Sequence, residues 1–337
     1  MDSLSQFVLG AAVGEVTLGK KLGNKAVLLG GIAGTIPDLD VFVTRFFKDD
    51  LMFLTIHRGY SHALFVHVFL AIPLAYLCMR IFKEKIPFGK WYLLWWLGLS
   101  THAILDSFTT YGTQLLLPFS NYQVAFNNIS VVDPLYTIPF LLFTVACMFV
   151  RRDKSLRRKI ALSGWIISCT YILLTFGLKW KAHQAFETAL EQQQIKVKQL
   201  STSPTLLNAI FWSGIAVNDS MIYVGEYSIT HPEKPIVFHG YPLQRDAEQK
   251  YASQSLERLN WFSNGFHFMV PETDSSAYYY NIKWGRTNFD ETDPPLAFRF
   301  YYQLKIENGK VVAAPIENKR DKEFIRRYWN TLMQNIF

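Results

Sequence analysis

The chain has 337 residues, room for about two domains, and half of it is hydrophobic while only 18% is charged. An aromatic content of 16% with that apolar share excludes a disordered chain, and the uneven placement of charge excludes a compact soluble protein, since His67 is the one charge-bearing side chain between 63 and 79. The formal charge of +7 could suggest nucleic acid, but the basic residues sit in short connectors between apolar runs, which reads as membrane topology instead.

In chain order, two short Gly- and Ala-rich apolar segments come first, at 4–18 and 25–36. The second reaches only about 20 Å as a helix. Small residues let such helices pack closely. Four stretches of the length a bilayer crossing needs follow, at 63–82, 91–110, 131–150 and 161–180. The connectors carry Lys20, Lys21 and Lys25, then Arg80, Lys83, Lys85 and Lys90, then Arg151, Arg152, Lys154, Arg157, Arg158 and Lys159. If every apolar segment crosses, these connectors share one side, which the positive-inside rule makes cytoplasmic. The opposite loop, 111–130, has no charged residue. The N-terminus has no basic leader region, so no cleaved signal peptide is expected. Cys78, Cys147 and Cys169 lie in apolar runs without a CxxC and read as buried small hydrophobes.

From about 181 charged residues return every few positions, and an α+β domain is expected. Asn218-Asp219-Ser220 and Glu307-Asn308-Gly309 mark hairpins between β-rich runs at 210–217 and 221–229, and at 296–306 and 310–316. Helices are expected at 182–200, 243–262 and 319–336, and an aromatic strand at 277–284. The predicted architecture is a polytopic α-helical membrane domain over 1–180, with four full-length and two short apolar helices, followed by an extracytoplasmic α+β domain over 181–337.

Ionisable groups inside or beside apolar helices are costly, so each needs a reason. Those here are Glu15, Asp38, Asp40, His57, His62, His67, His102, Asp106 and Asp133. All are oxygen or imidazole ligands. His102 and Asp106, four apart on a helix, share one face and could grip one ion, although a helix–helix hydrogen bond fits the pair as well. Asp38 and Asp40 follow helix-ending Pro37; a turn or a cap would look similar. His57 and His62 flank Gly59, which could bend the chain so that they converge. Glu15, with no basic neighbour before Lys20, needs a metal or a partner to stay ionised. Asp133, before Pro134, reads as a cap. On the deduced topology Asp38, His57, His62, Asp106 and Asp133 fall at the external helix ends, a depth independent caps would not require of so many histidines. Such a donor set suits zinc, with manganese or iron(II) as alternatives, in one or two ions. Arg58 could clamp a phosphate or carboxylate, or anchor at lipid headgroups.

At these residues the sequence resembles the YdjM-like family of LexA-regulated, inner-membrane metal-dependent hydrolases of bacteria. The matching pieces include Met1–Gln6, the Gly10–Gly19 run with Glu15, Gly34-Thr35-Ile36-Pro37-Asp38-Leu39-Asp40, His57-Arg58-Gly59-Tyr60-Ser61-His62 and Ser100-Thr101-His102-Ala103-Ile104-Leu105-Asp106. The resemblance covers about 1–180, with a more distant similarity to zinc-dependent phospholipase C. Many relatives have a His where this chain has Gln6, a departure for which Glu15 could compensate. The resemblance implies a hydrolase in the bacterial inner membrane. Asp38, His57, His62, His102 and Asp106 would bind metal, Glu15 would serve as a further ligand or base, and Arg58 would hold an anionic substrate. The substrate would be a lipid or another membrane-borne ester or phosphoester. A transporter using intramembrane His and Asp, and a non-enzymatic anchor for the C-terminal domain, are the rival expectations.

Overall fold

The computed structural model describes residues 1–337 except 48, 50, 83–84, 290–292, 299 and 317–321. Expected features that fall there, such as Lys83 and the first residues of the last helix, lie outside the described residues. The chain folds into two compact units: one comprises 1–46, 56–176 and 206–208, the other 47–55, 177–205 and 209–337.

The first unit is helical. α1 (Ser3–Leu22) starts at Asp2, whose carboxylate accepts from the Leu4 and Ser5 amides, and it ends at Gly23 with φ of 60°, where a side chain would be strained. α2 (Asn24–Ala33) turns straight back along it. The seam is made by Gly10, Gly14, Gly30 and Gly34, where an added Cβ would strike the backbone of the facing helix. A 3-10 turn (Ile36–Leu39) and α3 (Asp40–Val43) come next; α4 (Met52–Ile56), all but its last residue, is counted with the second unit. A second 3-10 turn (Tyr60–His62) opens α5 (Leu64–Ile81), which packs on α6 (Phe88–Ser107). α7 (Pro134–Met148) is capped by Asp133, which accepts from the Leu135 and Tyr136 amides and from the Tyr171 hydroxyl; the cap reading thus describes this acid. α8 (Ser155–Gln192) has 38 residues, of which those up to Phe176 are counted with this unit and the rest with the second.

Among the described residues two helices, Leu64–Ile81 and Ser155–Gln192, are long and apolar enough to cross a membrane. Asn24–Ala33 with Ile36–Phe46 passes the same test as a pair bent by 44°, a broken span or a re-entrant loop. The expected polar helix at 182–200 is instead the continuation of α8, which stops at Gln192. The cysteines are free; Cys78 and Cys147 are buried as expected, but Cys169 is exposed on α8.

The second unit holds two antiparallel four-stranded sheets in simple sequential order. β1 (Gln199–Pro204), β2 (Phe211–Val217), β3 (Met221–Ser228) and β4 (His239–Pro242) make the first. β5 (His267–Thr273), β6 (Ser276–Asn281), β7 (Tyr301–Glu307) and β8 (Lys310–Pro315) make the second. Both expected hairpins form, in registers Val217↔Ile222 and Glu307↔Lys310. The single helix expected at 243–262 is two, α9 (Arg245–Lys250) and α10 (Gln254–Ser263), because Ser253 restarts the helix by accepting from the Leu256 amide. The run expected as strand from 296 begins as a turn of helix, α11 (Pro294–Ala297), with β7 starting at Tyr301. The chain closes with α12 (Lys322–Ile336). Tyr241, Phe268, Tyr280 and Phe298 pack together in the core of this unit.

Candidate metal centre

Two turns of one helix and two short irregular segments supply the site. His102 and Asp106 project from α6, Asp38 from the turn that Pro37 starts after α2, and His62 from the turn before α5. One ligand atom from each of these residues lies within 4.8 Å of the other three. His62, His102 and Asp106 are fully buried, and the Asp38 side chain is 19% exposed, so Asp38 marks the open side.

The hydrogen bonds around the cluster decide what its centre presents. His102 Nδ1 lies 2.6 Å from the Gly34 carbonyl oxygen, which only accepts, so Nδ1 carries the proton and Nε2 presents a lone pair. Ser61 donates its hydroxyl to Asp40 Oδ2 at 2.6 Å, leaving its oxygen to accept from His62 Nδ1 at 2.9 Å. His62 Nε2 therefore points inward as well, and the two Nε2 atoms face each other at 3.1 Å. Asp38 Oδ1 sits 3.5 and 3.4 Å from them, and Asp106 Oδ2 3.2 and 3.6 Å. Two ring nitrogens and two carboxylate oxygens thus converge on one point, where a proton on His62 Nε2 or a cation would join them. These residue types, with outer hydrogen-bond partners fixing each imidazole, match divalent-metal chemistry.

The remaining sequence candidates are placed as follows. His57 is beside the cluster and outside its four ligand atoms; its Nδ1 is 2.8 Å from Asp40 Oδ1, and its side chain is 14% exposed. Asp40 is an orienting residue: besides His57 and Ser61 it accepts from the Arg58 amide at 3.0 Å. Arg58 is buried with φ of 59°, a costly conformation for a non-glycine residue that those backbone contacts hold in place. Its Nε is 3.0 Å from Asp106 Oδ2, its Nη1 donates to Thr109 Oγ1 at 2.8 Å, and the guanidinium lies over the Tyr111 ring. His67 is buried and donates through Nε2 to the Ser61 carbonyl at 2.8 Å, bracing the turn that carries His62.

Glu15 is not brought to the cluster. Arg157 donates to both its oxygens, at 2.8 and 2.6 Å, in a buried two-point pair. The partner that Glu15 lacks locally comes from 142 positions away. Gln6, by contrast, reaches the site: its Nε2 donates to Asp106 Oδ1 at 2.9 Å and to the His102 carbonyl at 3.2 Å, and the Met1 amine also donates to Asp106. Asp40, Ser61 and Gln6 are the supporting residues that sequence reasoning did not assign. The His-x-x-x-Asp spacing pointed to Asp106, but nothing in the spacing named its donors.

A helical region with apolar candidate spans around a buried pair of histidines and pair of aspartates defines a membrane protein equipped to hold a metal ion. Comparison by sequence gives the particular group: the model of the family described as YdjM inner membrane protein matches residues 1–182, and the chain belongs to that family. It is also similar to a protein of Bacillus subtilis (strain 168) named "Uncharacterized protein YfhP", with 24% identity over 253 residues, 70% of this chain and 75% of the relative. No solved structure matches the chain.

Proposed function

We propose that the chain is a multi-pass membrane hydrolase that depends on a divalent metal, zinc first, with manganese or iron as alternatives, and cleaves an ester or phosphoester of a lipid or other membrane-associated substrate. The observation that carries the reading is the meeting of two imidazole Nε2 atoms and two carboxylate oxygens within 4.8 Å of one another. Asp38, His62, His102 and Asp106 would hold the ion. When bound, such an ion lowers the pKa of a water towards about 7 and polarises a phosphoryl or acyl oxygen.

The protein's own groups supply the rest. Asp40 and Ser61 hold His62 in its metal-ready tautomer, and Gly34 does the same for His102. Arg58 pins Asp106 and sets positive charge beside the site; its contacts to Asp106 and Thr109 favour this over a free substrate clamp. His57, with Nδ1 committed to Asp40, stands at the rim, and Nε2 is the atom at which it would accept or release a proton. The basic connectors would face the cytoplasm, and the site and the C-terminal domain the opposite side. A transporter reading loses its buried acid away from this end, because Glu15 is closed off by Arg157.

The test is elemental analysis of the purified full-length protein beside His102→Ala and Asp106→Ala variants. Metal near one ion per chain or above in the parent and near zero in the variants, with helical content retained, is expected. Equal metal in all samples would rule out the site. A reporter fused after Phe337 checks the orientation, and a cytoplasmic signal there would overturn it.

A further inference from the structure

The segment that delivers Asp38 is built inside out. Between 36 and 46 the acids Asp38 and Asp40 turn inward, with Asp40 only 6% exposed. The apolar residues turn outward: Leu39 is 48%, Phe42 51%, Val43 48% and Phe46 88% exposed. Their spacing of three, four and seven puts them on one helical face. A water-facing segment would show the reverse order, because burying a carboxylate while exposing large apolar groups costs free energy on both counts. The order is the one hydrocarbon selects. Two more observations agree. The segment continues the apolar α2 as the second arm of the bent pair that passes as a span. Arg45 folds its guanidinium over the Phe42 ring at 5.1 Å, as a cation does at the level of lipid headgroups.

We infer that residues 39–46 lie in the bilayer's interfacial zone and form a lipid-immersed flank of the metal centre. The occupant of the exposed Leu39, Phe42, Val43 and Phe46 face is lipid. Asp38, the one cluster residue with an open side, adjoins that flank, and Tyr60, 61% exposed, stands two residues from His62. A molecule reaching the cluster this way arrives sideways from the membrane, so the substrate class is an amphiphile with its acyl chains still in the bilayer. The substrate clause rests on the proposed hydrolase reading; the placement of the flank does not.

The experiment uses the full chain in lipid nanodiscs, with Cys169→Ser to remove the exposed thiol. A single cysteine is introduced at 42 or 46 and labelled with an environment-sensitive fluorophore. Labels at Leu173, 70% exposed on α8, and at Asp219, on the β2–β3 hairpin with its side chain 71% exposed, give the lipid and water references. Quenching by a nitroxide near the glycerol end of the lipid and by aqueous iodide is compared. Labels at 42 and 46 should match 173, with lipid-borne quenching several-fold above the label at 219. Iodide quenching equal to that at 219 would overturn the inference and favour a water-facing lid. Metal per chain, measured on the same samples, reports separately on the cation site, so either reading can fail alone.

Discussion

Two of the places where the helical unit buries charge are solved differently. At Glu15 a carboxylate with two oxygens meets a guanidinium that donates to both, so acceptors and donors match and nothing further is needed. At Asp38, His62, His102 and Asp106 the Nδ1 protons of both rings are taken up at the outer edges by Gly34 and Ser61, so the two Nε2 atoms and two carboxylates are left facing one another. A buried ionisable residue is therefore not a functional signal by itself. The arrangement of donors and acceptors around it separates a closed structural pair from a cluster that could hold a cation.

That contrast can be broken from either side. The largest expected effect is on the closed pair: Glu15→Ala leaves Arg157 buried and unpaired and should destabilise the protein by about 3–5 kcal/mol. Unfolding in detergent measures it, and metal per folded chain should not change. Adding Arg157→Met to that variant should restore most of the stability. Loss of metal from Glu15→Ala at full helical content would instead tie Glu15 to the centre. At the open site, Asp40→Asn disturbs the proton order that runs from Ser61 to His62, and cation affinity should fall about 10–100-fold. Competition with a chelator reads this directly; unchanged affinity would mean that Asp40 does not orient the ligands.

The smallest effect concerns the second unit, where a matched pair sits near water. His267 Nε2 is 3.4 Å from Glu248 Oε1, and that hydrogen bond holds the Glu248 carboxyl below its ordinary value. Because the native value is the lower one, the contribution is complete above the unfolded-state value of 4.5 and fades as pH falls through the native value. Glu248 is largely solvent-screened, so Glu248→Gln should cost less than about 1 kcal/mol near neutral pH. The difference from the parent should vanish in acid. A difference that persists at the lowest pH would show that the pair is not its source.

Much of the site was legible in sequence. The spacing of His102 and Asp106 placed them on one face, Pro37 placed Asp38 at a helix end, and Gly59 allowed His62 to turn inward. These are local rules, and the local structure obeys them. What sequence could not supply was the long-range pairing. Arg157 for Glu15, Gln6 for Asp106 and Gly34 for His102 come from 142, 100 and 68 positions away, and no periodicity encodes them. In the second unit, β1 and β5 escaped for another reason. β1 reads Gln-Leu-Ser-Thr-Ser-Pro, polar enough to pass for a loop, and β5 carries Pro271 where its pairing with β6 shifts register. Their hydrogen bonds to neighbouring strands, rather than propensity, make them strands.

One carbonyl joins two parts of the unit that would otherwise be separate. Gly34 closes the glycine seam, where a methyl group would collide with Gln6 and Gly10 of α1, and the same residue anchors the His102 ring. The distance between two helix backbones therefore sets the aim of an imidazole. A bulkier residue at 34 would misalign the nitrogen without touching any ligand, so tolerance for change should be low along a stretch that carries no chemistry of its own.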